Sequence, residues 1–228
     1  MKQFFTTLTF LIISHSIFGQ QDFGLKVNGG ISFLSTNFQS SFPQVQKFYL
    51  MPSLQCGLFY NFHLPDKAII GTELLFSQIE GKEYLSYEEM IQPGPPSGQF
   101  VTTNTWRHIS YLGLPIYFGL NFKKLNVNLG FQANLLLASS GQEIGQAPYN
   151  GKIQTWDTKS SKLNIDNYDY GARAGILLNL TTRFSIEVNY YYGLNNILKD
   201  TKASSVWTWK VQQATVGLRY KFKSIGGH

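Results

Sequence analysis

His108, Ile109 and Ser110 set a histidine and a serine two residues apart. In an extended chain such residues share one face. An imidazole beside a hydroxyl is the start of acyl-ester hydrolysis, in which the base takes the hydroxyl proton and a carboxylate holds the base. Glu80, Glu88 and Glu89 are the acids that could complete the set. The structural alternative is a polar patch at a membrane rim. Metal chemistry has less to draw on. Beyond residue 20 the histidines are His63, His108 and His228, the single cysteine is Cys56, and none has ligand spacing. The glycines follow strand alternation and open no helix, so no phosphate loop is expected, and neither a metal nor a cofactor is expected.

A second set of residues is charged and falls on the polar face of alternating segments. Lys26, Glu73, Asp169, Arg173, Glu187 and Arg219 each fall on the polar face of their own segment. Charges of both signs converging from several segments into a narrow interior must pair or stay wet. They are expected to form a polar network that closes a barrel lumen.

The elements that would carry these residues are strands. From Tyr111 to Phe122 the even positions are Leu112, Leu114, Ile116, Phe118, Leu120 and Phe122, and the odd ones include Gly113, Pro115, Gly119 and Asn121. That alternation marks a strand with two unlike faces. It recurs from Phe23, Val127, Tyr168, Phe184 and Ala214, and more noisily over 47–62 and 68–80, giving eight strands. In the last of them Trp207, Trp209 and Val211 have the opposite parity from Ala214 onward, which predicts a β-bulge near Gln212. Short turns at Pro65–Asp66, Lys123–Lys124 and Thr181–Thr182 alternate with longer loops at about 36–46, 81–105, 141–165 and 195–205. The expected fold is all-β, an eight-stranded antiparallel up-and-down transmembrane β-barrel of the outer-membrane type.

A soluble barrel would alternate too, with its apolar face inside. Gly113, Gly119, Gly130, Gly171, Gly175, Gly193 and Gly217 all lie on the polar face, where an eight-stranded interior has little room. Phe62, Phe122, Phe184, Tyr220 and Phe222 mark one end of the apolar face and Trp106, Trp207 and Trp209 the other, like the aromatic girdles of a bilayer.

The 228 residues are 43% hydrophobic and only 14% charged, which argues against disorder. Lys2 ahead of the apolar run Leu8–Ile13, with Gly19 and Gln20 behind it, has the layout of a signal peptide over 1–20. Residues 21–228 are then one barrel domain, integral to a bacterial outer membrane. The formal charge of +6 becomes +5 once Lys2 is removed. That excess lies at the short-turn end, where Lys67, Lys123, Lys124, Arg183, Lys221 and Lys223 face Asp66 alone. Such a basic periplasmic rim suits inner-leaflet phosphates or an anionic protein, and nucleic acid is not an expected partner.

RHISYLGLPIYFGLNF (107–122) followed by VNLGFQANLLL (127–137) resembles the Tyr-Leu-x-x-Pro strand pair of the PorT-like outer-membrane β-barrel proteins of Bacteroidetes. DYGARAGILLNL (169–180) with FSIEVNYYYGLNNI (184–197) is similar to that family's late hairpin, and DFGLKVNGGISF to its first strand. The resemblance implies an outer-membrane location and no catalytic residues. The expected role is non-enzymatic, structural or binding. The expected partners are outer-membrane lipids and lipopolysaccharide, with a periplasmic or secretion-system protein as a further one. The alternatives are an accessory part of a type IX-like secretion assembly, or an enzyme similar to lipid A deacylases, which use a His-x-Ser pair. Tyr84, Tyr87, Met90, Phe100, Tyr149 and Trp156 in the long loops suit a recognition surface.

Overall fold

The computed structural model describes residues 21–38, 44–90, 96–149, 152–199 and 207–222. Residues 1–20, where the signal peptide is expected, lie outside the described residues, as does Lys223. The strands are β1 (Gln21–Phe38), β2 (Gln44–Tyr49), β3 (Met51–His63), β4 (Ala68–Met90), β5 (Pro96–Phe122), β6 (Leu125–Tyr149), β7 (Lys152–Ser160), β8 (Tyr168–Asn179), β9 (Phe184–Gly193) and β10 (Trp207–Lys221). Eight close a ring of antiparallel neighbours, β1-β3-β4-β5-β6-β8-β9-β10, with β10 returning to β1. Closure removes every sheet edge from the lipid, where an unpaired backbone group has no partner.

Side-chain exposure sets the orientation of the two faces. Leu114, Ile116 and Phe118 are 50%, 57% and 51% exposed, while Lys26, Glu73 and Glu187 are 1%, 2% and 1% exposed. Apolar side chains thus point outward and charged ones inward. The solvent of the outer face must be hydrocarbon, as an outer-membrane barrel requires.

β2 and β7 stand outside the ring. β2 pairs with β4 and β7 with β6, at the long-loop end. There β4, β5 and β6 run to 23, 27 and 25 residues, against 12 and 10 for β8 and β9. The result is a sheet in the order β2-β4-β5-β6-β7 that continues one side of the barrel beyond its rim. Much of what was expected as loop over 81–105 and 141–165 is therefore strand. Its sequence lacks an apolar stripe because it stands beyond the lipid-facing band, whereas Val101, Thr102, Thr103 and Thr105 keep the backbone extended.

The expected bulge near Gln212 is absent: β1 and β10 pair without interruption from Gly24↔Lys221 to Phe38↔Trp207. Val211 keeps the inward parity of Gln213 and Thr215, and what changes at that height is the chemistry of the interior. A bulge does occur between β5 and β6, where Ser110 opposes Ala138 but Tyr111 opposes Leu136. It turns Leu136 inward.

Candidate functional site: the layered lumen

The lumen is filled by layers of inward side chains, each set at its height by the cross-strand register. The central layer holds five charges. Glu73 of β4 accepts from Lys26 Nζ of β1 at 3.0 Å, from Arg173 Nη1 of β8 at 2.7 Å, and from Arg219 of β10. Glu187 of β9 pairs with Lys26 and Arg219 and accepts from Asn28 Nδ2 at 2.6 Å. Arg173 also donates to Asn189 Oδ1 at 2.8 Å, and the Arg219 guanidinium lies 4.7 Å from the Phe59 ring centroid. Tyr117 OH donates to Asn61 Oδ1 at 2.6 Å and accepts from Arg219 Nη1 at 3.2 Å. Room for the Tyr117 ring comes from Gly71, where a Cβ would sit 2.3 Å from it.

Asp169 does not join this layer. Its Oδ2 accepts from Asn134 Nδ2 at 3.0 Å and Tyr191 OH at 2.7 Å. Gln132 donates to Asn134 at 2.8 Å, and across the lumen Gln55 donates to Gln213 at 2.6 Å. Parity places Asp169 on the inner face, but register lifts it into an amide layer. The five-charge layer carries three cations and two carboxylates, and Asp169 supplies the third carboxylate at a distance.

Above the amides the interior turns apolar. Leu34, Ile79, Ile109, Tyr111, Ile165, Tyr191, Ile197 and Val211 form a buried cluster, with Leu136, Leu163 and Trp209 packed against it. Leu163, Ile165 and Ile197 belong to the connections after β7 and β9, which fold into the barrel mouth. Asp166 N donates to Ile197 O at 2.7 Å, Ile197 N to Trp209 O at 2.9 Å, and Leu136 N to Asn167 O at 2.8 Å. The orphan backbone groups of an inserted loop are thus satisfied. Arg107 lies against this cluster, 2.9 Å from Glu83 and 4.1 Å from the Trp209 ring centroid.

The short-turn end is looser. A cavity of about 110 Å³ is lined by Asp22, His63, Asn121, Lys123, Arg219 and Lys221 among others. Asp22 Oδ2 holds Lys221 Nζ at 2.6 Å and His63 Nε2 at 2.8 Å. Of the basic rim, Lys67 and Lys123 sit in tight turns with positive φ, 68° and 55°, and Lys124 and Arg183 are exposed beside them. Among the described residues no group of three or more His, Cys, Asp or Glu side chains is placed to hold a metal ion.

His108 and Ser110 lie on the outer face of β5, and His108 Nδ1 is 3.6 Å from Glu80 Oε1 of β4. Ser110 is 6% exposed.

Residues 18–199 match the family model described as an outer membrane protein beta-barrel domain. Among solved structures, Neisserial surface protein A (NspA) is 11% identical, over 88% of this chain and 97% of that one, with a TM-score of 0.39. The attachment invasion locus protein Ail of Yersinia pestis is 12% identical, over 90% and 99%, at 0.38. The outer membrane protease OmpT from Escherichia coli is 10% identical, over 90% and 96%, at 0.32. No curated protein matches. The chain belongs to the outer membrane protein beta-barrel domain family, and it is an integral outer-membrane protein.

Proposed function

We propose that this member of the outer-membrane barrel family is a non-conducting envelope component whose work is structural and recognitive and is done outside its lumen. The observation that carries the reading is the filled interior, ionic at mid-height and apolar at the mouth. An eight-stranded wall leaves room for side chains and little else. The projecting sheet offers the surface. Phe48, Tyr49, Phe100, Tyr149 and Ile153 are exposed on it, and Lys82 Nζ lies 5.1 Å from the Tyr49 ring and 4.9 Å from the Trp106 ring. Aromatics with a cation among polar residues suit contact with lipopolysaccharide or with a protein at the cell surface. Residues 1–20 would serve as the export signal and 21–228 as the single domain. The motifs at 107–122 and 169–197 favour the PorT-like branch of Bacteroidetes barrels.

A second reading makes the protein an accessory part of a secretion assembly. It draws on the rim residues Lys67, Lys123, Lys124, Arg183 and Lys221, a cationic face where a periplasmic partner would dock. Affinity capture from detergent-solubilised outer membranes tests both readings. Removing the hairpin tip over 84–104 should abolish capture of surface ligands while the barrel still folds. Neutralising Lys123, Lys124 and Arg183 should instead abolish capture of a periplasmic protein. Capture that neither change affects would remove the basis of both readings.

A further inference from the structure

We propose that the outer face of the barrel carries an ester-hydrolysing site formed by Glu80, His108 and Ser140, acting on acyl esters at the outer-leaflet interface. The three residues form one row across three adjacent strands. Glu80 of β4 is directly opposite His108 of β5, and His108 is directly opposite Ser140 of β6. Directly opposed residues bring their Cβ atoms to about 4.5–5.5 Å, within reach of a side-chain rotation. All three line one open groove of about 660 Å³, together with Met51, Trp106, Gln142, Lys159 and Ser160. Ser110, the serine that the sequence pairs with His108, does not line the groove and lies one step down the strand, opposite Ala138. The register thus names a serine that spacing along one strand does not.

Each member of the row has its chemical part. Glu80 Oε1 is 3.6 Å from His108 Nδ1, so the Nδ1 proton faces a carboxylate and Nε2 is left as the base. His108 Nε2 takes the Ser140 hydroxyl proton as Oγ attacks the ester carbonyl. The C–O ester bond breaks, and the same proton passes to the leaving alcohol. Water then attacks the acyl-Ser140 ester, gives its proton to His108, and releases the carboxylic acid and free Ser140. Below the row the outward residues are Leu112, Leu114 and Leu135, half-exposed and lipid-facing; above it stands Trp106. An acyl chain can lie along the first group with its ester at the row. The charged groups around His108 are Glu80, Lys159, and Arg107 with its guanidinium on Glu83. Glu80 is therefore a positioning residue, and Ser140 and His108 are the catalytic ones.

This inference goes beyond the binding role, which stands if it fails. The full chain, folded in micelles and checked by heat-dependent gel mobility, is treated with a fluorophosphonate probe and assayed on p-nitrophenyl decanoate. The expected result is a label on Ser140, lost in Ser140→Ala. Hydrolysis should fall at least about a hundredfold in Ser140→Ala and His108→Ala and stay unchanged in Ser110→Ala. Glu80→Gln should lower kcat with KM unchanged, and Glu80→Asp should restore part of the loss, because Glu80 orients the imidazole without touching substrate. Folded protein that neither labels nor hydrolyses overturns the proposal. Activity that survives Ser140→Ala, or vanishes in Ser110→Ala, overturns it equally.

Discussion

The lumen is closed twice, by a charged layer at mid-height and an apolar cluster at the mouth, and the two closures obey different physics. In the charged layer every group depends on its neighbours. Glu73 touches Lys26, Arg173 and Arg219, so its loss leaves three buried cations with Glu187 as the one carboxylate of the layer, and Arg173 loses its carboxylate partner. In the apolar cluster each side chain contributes its own burial and packing, and the loss of one leaves a cavity and little else. The charged layer should therefore fail as a unit and the apolar cluster in increments. That difference gives the barrel one closure that is specific and one that is tolerant.

Glu73→Ala separates the two closures by the largest effect. It should lower stability by about 3–5 kcal/mol, because uncompensated buried charge costs more than the pair gained. Urea unfolding in detergent would measure this, and adding Arg219→Met to the same chain should recover part of the loss. Additive losses in the double variant would mean the layer is not a unit. Ile109→Ala comes next, at about 2–4 kcal/mol from lost burial and a residual cavity. Its cost should be nearly the same in the Glu73→Ala background, since the two layers share no contact shown by their hydrogen bonds or packing. Gly81→Ala should cost about 1–3 kcal/mol, because the new Cβ would lie 2.8 Å from Leu34 in the cluster. Tyr191→Phe, which takes the hydroxyl from Asp169, should cost about 1–2 kcal/mol by the same unfolding measurement.

The two closures also differ in how far they could be read from the sequence. The charged layer was legible, since alternation fixes the face of each residue and Lys26, Glu73, Arg173, Glu187 and Arg219 all fall on the inner one. Height was not legible. Asp169 has the same parity, yet the register of β8 against β6, with Asn134 opposite Asp169, places it among amides. The apolar cluster was missed. Ile165 and Ile197 lie in connections whose local sequence carries no strand period, and nothing nearby in the chain says that these connections fold inward. The inward Val211 mimics a change of parity, because in the sequence an apolar residue on the inner face resembles an outer residue out of step. The sheet extensions are hidden for a related reason: a strand that stands beyond the lipid has no apolar outer stripe to reveal it. The row of Glu80, His108 and Ser140 joins residues up to sixty positions apart, so only the pairing of strands could bring it to view.

Whether this outer-membrane barrel is closed can be read from the current through single molecules in a planar bilayer. Wild-type protein should show no steady conductance steps at any salt concentration, and neither should Ile109→Ala, because the charged layer still fills the lumen below it. Glu73→Ala should be less stable without conducting, because the apolar cluster still closes the mouth. Stable, repeated conductance steps from correctly folded wild-type protein would mean that the lumen is open.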